Sequence, residues 1–86
     1  MTTYREKYDA LMAGMGALGK AIPGPMGGFA QLHKAAGADG ALDGKTKELI
    51  ALGIAVTVRC EGCIVCHVQD SLTAGATREE IQEVLG

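Results

Sequence analysis

The stretch Leu49-Ile-Ala-Leu-Gly-Ile-Ala-Val-Thr-Val58 decides the fold of this sequence, because it carries no charged residue. A helix that is apolar on every face must be enclosed by protein. The β-branched tail from Ile54 to Val58 would also suit a strand. Nothing else in the chain has the pattern of a partner strand, however, and an isolated strand is not stable. The stretch therefore predicts a largely buried helix, with Asp43 as its N-cap.

The flanking segments have helical patterns of their own. Apolar residues recur at spacings of three and four in the N-terminal part of the chain. Pro23-Gly24-Pro25 should stop any helix that reaches it. A Thr77-Arg78-Glu79-Glu80 capping box marks the start of a short last helix. The predicted helices are Thr3 to Lys20, Met26 or Gly27 to Ala36, Asp43 to Val58, a segment that follows Arg59 to Gly62 and ends at Gly75, and Thr77 to Leu85.

These patterns predict an all-α fold of about five helices in a single domain, residues 1–86. A chain of 86 residues leaves roughly 40 % of its unfolded surface in water as a monomer. Its hydrophobic fraction is nevertheless 48 %, with few aromatic residues to fill a core. We therefore expect apolar surface to be covered by further copies of the chain, in a homo-oligomer.

The charge pattern argues against nucleic-acid and membrane partners. Eight Lys and Arg against ten Asp and Glu are scattered along the sequence without a basic run. The charged N-terminus lacks the apolar core of a signal peptide, and no uncharged stretch is long enough to span a bilayer. We expect a cytoplasmic protein. In that compartment a close pair of cysteines is more often catalytic or metal-binding than structural.

Candidate chemistry is concentrated in Cys60-Glu-Gly-Cys63-Ile-Val-Cys66-His67. On a helix Cys60, Cys63 and His67 share one face. A helix N-terminus and a nearby imidazole both favour the thiolate form of cysteine. A thiolate oxidised by peroxide to sulfenic acid can condense with a second thiol to a disulfide, which protects it from further oxidation. This spacing therefore favours redox chemistry.

Two other interpretations of the cysteines are open. Cys60, Cys63, Cys66 and His67 could together bind zinc, but Cys66 and His67 are adjacent and point about 100° apart on a helix, which strains chelation by all four. The cysteines could also be small buried hydrophobes. We expect neither a metal nor another cofactor. His33 has no ligand-type residue at a useful spacing, so we expect it to lie outside the site.

The second half of the sequence resembles the AhpD-like branch of the carboxymuconolactone decarboxylase family. The resemblance covers about Leu42 to Leu85. It rests on a glutamate twelve residues before a C-x-x-C-x-x-x-H motif (Glu48, Cys60, Cys63 and His67) and on the segment from Gly75 to Leu85, which begins G-A-T-R-E-E-I. The family also implies a glycine-rich turn and a further helix after Leu85, where this sequence has Gly86.

The resemblance implies an all-α fold and a thiol-dependent hydroperoxidase or disulfide reductase. In that family Cys63 would be the peroxidatic thiol, Cys60 the resolving thiol, and Glu48 and His67 a proton relay. The implied partners are a peroxide substrate, a thiol or dithiol reductant protein, and other copies of the chain in a trimer or hexamer. Two alternatives remain, a decarboxylase-like lyase acting on a muconolactone and a non-enzymatic, redox-responsive oligomeric scaffold. Cys66 is not part of the motif, and we expect it to be dispensable.

Overall fold

A computed structural model describes residues 2–86, and all regular structure in this range is α-helical. The five helices confirm the predicted fold class. The chain divides into two compact units, Met1–Ala38 and Asp39–Gly86. The helices are α1 (Tyr4–Ala21), α2 (Pro23–Gly37), α3 (Gly44–Thr57), α4 (Glu61–Thr73) and α5 (Arg78–Leu85).

The first unit is a pair of helices, α1 and α2, that contact each other. The Thr3 hydroxyl caps α1 by accepting the Glu6 N–H at 3.1 Å. Helix α1 ends at Ala21, just before Pro23-Gly24-Pro25, as predicted, but α2 begins at Pro23 itself and not at Met26 or Gly27. The amides of a first helical turn need no partner within the helix, so proline costs no hydrogen bond there. The two helices are separated by Ile22, which is not helical (φ −131°, ψ 71°).

The second unit packs α3, α4 and α5 around one small core. Leu52 of α3 is completely buried, and Ala76 and Ile81 join it from the turn before α5 and from α5 itself. Four partly buried side chains pack against this cluster: Leu49, Ile64, Val68 and Val84. At about 25 cal/mol per Å² of apolar area removed from water, such a core dominates the stability of the unit.

The turn before α4 and the turn after it have the same hydrogen-bond pattern. After α3, the N–H groups of Arg59 and Cys60 bond to the carbonyls of Val56 and Ala55. After α4, the N–H groups of Gly75 and Ala76 bond to the carbonyls of Leu72 and Ser71 in the same way. This is the Schellman pattern, which needs a left-handed residue just past the helix.

Glycine takes the left-handed position after α4 but arginine takes it after α3. Gly75 has φ 99°, which suits a residue without a Cβ. Arg59 has φ 59° and is the one non-glycine residue of the described chain with a positive φ. This conformation costs an L-residue roughly 1–2 kcal/mol of conformational energy. The turn that leads into Cys60 is therefore held in a costly geometry by the packing of α3 against α4.

The N-terminus of α5 is tied to the beginning of α3 by one carboxylate. The predicted capping box is present: Thr77 Oγ1 accepts the Glu80 N–H, and Glu80 Oε1 accepts the Thr77 N–H. Glu80 Oε2 accepts a second bond from Lys45 Nζ at 2.8 Å. This ion pair lowers the pKa of Glu80 and raises that of Lys45. Each group therefore favours the charged form of the other.

The chargeless stretch of α3, which starts at Leu49, buries only part of its surface in a single chain. Leu52 and Ala55 of this stretch are buried, as predicted. Ile50, Ile54 and Val58, which follow one another at intervals of four residues, are 50 %, 59 % and 63 % exposed. Residues at this spacing form one stripe along the helix. The structure thus leaves an apolar stripe on α3 open, and none of the described helices meets the length and hydropathy needed to cross a bilayer.

Candidate active site

Cys60 is positioned by both helices that it separates. Its N–H closes the turn after α3 through the Ala55 carbonyl, and its side chain is the N-cap of α4. The Cys60 sulfur accepts the N–H of Cys63 at 3.3 Å, where a serine or aspartate oxygen would normally stand. Gly62 lies within the first turn of α4, which begins at Glu61. The first cysteine of the motif is therefore fixed at a helix N-terminus.

Cys60 and Cys63 are joined by a disulfide bond, with their Cα atoms 5.2 Å apart. This separation lies within the normal range for disulfides. Both residues are partly buried. The positive end of the α4 dipole lies at this position, and it favours a negative sulfur when the bond is reduced. The pair is therefore placed where a helix N-terminus can stabilise an anionic sulfur after reduction.

Glu48 and His67 contact each other across the α3–α4 interface. Glu48 Oε2 lies 2.8 Å from His67 Nδ1, and the two side chains are only 16 % and 25 % exposed. Glu48 lies in the N-terminal half of α3, which continues to Thr57. The contact is possible because His67 lies six residues into α4, about 9 Å along the returning helix.

The contact with Glu48 favours one tautomer of the neutral imidazole. An ionised carboxylate can only accept, so in that pairing Nδ1 carries the hydrogen and donates the hydrogen bond to Glu48. In the neutral ring Nε2 then has the free lone pair. Such an imidazole can take up a proton at Nε2 while Glu48 stabilises the resulting cation. The pair has the composition of a general base with its orienting group.

Asp70 is a neighbour of this pair that the sequence analysis did not identify. One ligand-type atom from each of Glu48, His67 and Asp70 lies within 4.8 Å of the other two. His67 and Asp70 are three residues apart on α4 and therefore share a face. The signal was available as an H-x-x-D spacing opposite a glutamate on a neighbouring helix, but sequence alone does not show which helices face each other.

Cys66 is a free thiol close enough to Asp70 to be affected by its charge. It is partly buried, and its pKa is raised, first by burial and then by the negative charge of Asp70. Both effects disfavour the thiolate, which is the nucleophilic form. The environment of Cys66 therefore differs from that of the pair at the N-terminus of α4.

His33 belongs to the other unit. It lies on α2, where its ring stacks with Phe29 at a centroid distance of 6.4 Å. The two rings line an open apolar groove of the first unit together with Met15, Gly16, Gly19, Pro23, Met26, Gly27 and Ala30. Among the described residues, the chemistry-bearing side chains of the motif all come from α3, α4 and the turn between them.

These features define a class of small all-α proteins with a C-x-x-C pair at a helix N-terminus and a glutamate–histidine pair on the adjoining helices. The sequence profile of the carboxymuconolactone decarboxylase family matches residues 23–86. The chain belongs to the carboxymuconolactone decarboxylase family.

Relatives of known sequence cover from 66 % to 98 % of the chain. An uncharacterized protein of Cupriavidus necator is 46 % identical over 98 % of this chain, which spans 74 % of that relative. An uncharacterized protein of Haemophilus influenzae is 40 % identical over 81 % of the chain, which spans 62 % of it. An uncharacterized protein of the cox locus of Paracoccus denitrificans is 46 % identical over 66 % of the chain and is matched over 51 % of its own length.

A solved structure is similar to the whole fold. The apo crystal structure of a carboxymuconolactone decarboxylase family protein from Legionella pneumophila has a TM-score of 0.88 and 43 % identity. The similarity covers 96 % of this chain and 74 % of the Legionella chain. The chain thus shares its fold with this Legionella protein.

Proposed function

We propose that this protein is a thiol-dependent hydroperoxidase that uses Cys60 and Cys63 as a redox pair. The observation that carries the proposal is the disulfide between these residues at the N-terminus of α4. A helix N-terminus stabilises the thiolate form that attacks peroxides. A cytosolic location would supply the thiols that reduce the disulfide again.

The proposed cycle has three balanced steps. The Cys63 thiolate attacks a peroxide oxygen, so that the O–O bond breaks, Cys63 becomes a sulfenic acid and an alkoxide or hydroxide leaves. The Cys60 thiol then displaces water from the sulfenic acid and forms the disulfide. Two thiol groups of a reductant protein or a small dithiol restore both cysteines and are themselves oxidised to a disulfide.

Glu48 and His67 serve as the proton relay in this proposal. His67 Nε2 takes the proton of the Cys63 thiol, directly or through a water molecule, while Nδ1 stays bonded to Glu48. The same proton neutralises the leaving oxygen once the O–O bond has broken. The spacing favours Cys63 as the attacking thiol, because His67 follows it by one helical turn.

The redox pair distinguishes this proposal from the two alternatives. A decarboxylase-like lyase could use Glu48 and His67 for acid–base chemistry, but it would leave Cys60 and Cys63 without a role. A non-enzymatic scaffold would need neither the relay nor a reducible pair. Turnover of a muconolactone without peroxide consumption would support the lyase, and absence of both activities would support the scaffold.

Mass spectrometry after a single equivalent of peroxide tests the proposal most directly. The reduced protein should lose two hydrogens and form the Cys60–Cys63 disulfide. Cys63→Ser should abolish peroxide consumption, whereas Cys60→Ser should react once and stop as a sulfenic or over-oxidised species. If Cys63→Ser turns over normally and Cys60→Ser does not, the roles are reversed. If both variants turn over normally, the redox proposal is wrong.

Cys66→Ala is the matched control for these variants. The raised pKa of Cys66 makes it the poorer nucleophile, so we expect this variant to consume peroxide at the wild-type rate. A folded Cys66→Ala protein that loses most of its activity would show that the reactive pair includes Cys66.

We also propose that the protein works as a homo-oligomer, a trimer or a hexamer. The support is the exposed apolar stripe of Ile50, Ile54 and Val58 on α3. A second copy that covered this stripe would remove it from water. Sedimentation velocity should therefore show an assembly at micromolar concentration. A stable monomer under these conditions would contradict this part of the proposal.

A further inference from the structure

We propose that Glu48, His67 and Asp70 form a binding site for a first-row divalent metal ion, with Zn²⁺ as the best chemical match. The first argument is their convergence. The three side chains come from two helices, yet one nitrogen and two carboxylate oxygens lie within 4.8 Å of one another. The ligand atoms of a tetrahedral zinc ion with bonds of about 2.0–2.1 Å are about 3.4 Å apart. Side-chain rotations that bring the three atoms to that separation would complete such a site.

The type of donor argues for the class of metal. Mg²⁺ and Ca²⁺ prefer sites made of oxygen alone, and an imidazole does not suit them. Sites that bind Cu(I) or an iron–sulfur cluster rely on thiolates or thioethers. One imidazole with two carboxylates instead suits the borderline ions, of which Zn²⁺ is an example. Three protein donors also leave a fourth position for water, as in open zinc sites.

Charge and placement supply the second argument. Glu48 and Asp70 bring two carboxylates to the site, and both would attract a divalent cation. The donors are all partly buried, and the ion would replace the proton that joins His67 Nδ1 to Glu48. Less side-chain freedom is then lost on binding than at three exposed residues.

The proposed metal site does not require the redox cysteines. In the structure Cys60 and Cys63 are bound to each other, so neither offers a thiolate. This separates the site from the four-ligand zinc site considered for the cysteines and His67. The ion would use Glu48 and His67, the two groups of the proposed proton relay. Metal and relay would exclude each other; that consequence rests on the proposed function, whereas metal binding itself does not.

The test uses the oxidised, chelator-treated Cys66→Ala protein, so that no free thiol can bind the ion. Calorimetric titration with Zn²⁺ should give one ion per chain. Co²⁺ should give visible absorption typical of a four-coordinate ion, without sulfur-to-cobalt charge transfer. Asp70→Asn should weaken Zn²⁺ binding by about tenfold or more. Asp43→Asn is the matched control, because it removes the same charge while asparagine still caps α3, and it should bind Zn²⁺ like the parent.

Nuclear magnetic resonance provides a readout that does not depend on the Asp70 variant folding. Co²⁺ should shift or broaden the imidazole signals of His67. The proposal is overturned if the parent protein does not bind Zn²⁺, if Asp70→Asn binds it as tightly as the parent does, or if the imidazole signals of His67 do not respond. None of these measurements involves peroxide, so they are independent of the outcome for the redox cycle.

Discussion

Replacing Glu48 by glutamine is the most informative single change at the proposed relay. Glutamine has nearly the same shape, and its amide oxygen can still accept the proton of His67 Nδ1. The substitution removes only the negative charge that would stabilise a protonated imidazole. Any loss of activity in a folded Glu48→Gln protein would therefore report on charge rather than on packing.

The expected magnitude follows from the geometry of the contact. The Nδ1–Oε2 distance is 2.8 Å, and both side chains are mostly buried, so solvent screens the charge only partly. A positioned general base contributes typically 10²–10⁴-fold to a rate. We expect kcat/KM for peroxide to fall about 100-fold, which corresponds to about 2.7 kcal/mol. The free energy of unfolding should fall by only about 1 kcal/mol, because a charge-assisted bond becomes a neutral one.

Stopped-flow measurement of peroxide consumption with an excess of a small dithiol is the appropriate assay. Glu83→Gln on the exposed side of α5 removes the same charge and is the control. Glu48→Asp, which keeps the charge but is one methylene shorter, should recover part of the lost rate. The reasoning is refuted if Glu48→Gln consumes peroxide as fast as Glu83→Gln does.

Three further predictions concern the fold. Leu52→Ala should lower the free energy of unfolding by about 2–5 kcal/mol in chemical denaturation, because Leu52 is completely buried in the second unit; a loss below about 1 kcal/mol would contradict the assigned core. Gly75→Ala should cost about 1–2 kcal/mol at its φ of 99°, whereas Arg59→Gly should change stability by less than about 1 kcal/mol in the opposite direction. The lowered pKa of Glu80 means that its stabilising effect should be full above its unfolded pKa and should disappear as the pH falls through its folded pKa. Thermal melts of the wild type and Glu80→Gln should therefore converge in acid.

Local signals in the sequence were sufficient for much of the second unit. Asp43 and the Thr77–Glu80 box mark helix starts by chemistry that acts over three residues, and both caps are present. The start of α2 was misjudged because proline stops a helix in its interior but not in its first turn. The left-handed turn at Arg59 could not be predicted, because the sequence has no glycine at that position.

The site was predictable to the extent that it lies within one helix. The shared face of Cys60, Cys63 and His67 follows from the helical repeat. Family resemblance was needed to add Glu48, since nothing local links residues on two helices. Asp70 went unrecognised for the same reason: its proximity to Glu48 arises from the packing of α3 against α4, which no short spacing encodes.

Because a sulfur atom caps α4, the redox state of the cysteine pair affects the backbone at the start of this helix. The Cys63 amide donates to the Cys60 sulfur, which is a bridging atom in the disulfide and would be a thiol or thiolate after reduction. An anionic acceptor strengthens such a bond. The strength of the hydrogen bond at the Cys63 amide therefore depends on whether the Cys60–Cys63 pair is oxidised or reduced. The hydrogen-exchange rate of this amide should therefore differ between the oxidised and the reduced protein. It reports the redox state of the cysteine pair without a dye, a substrate or a reductant.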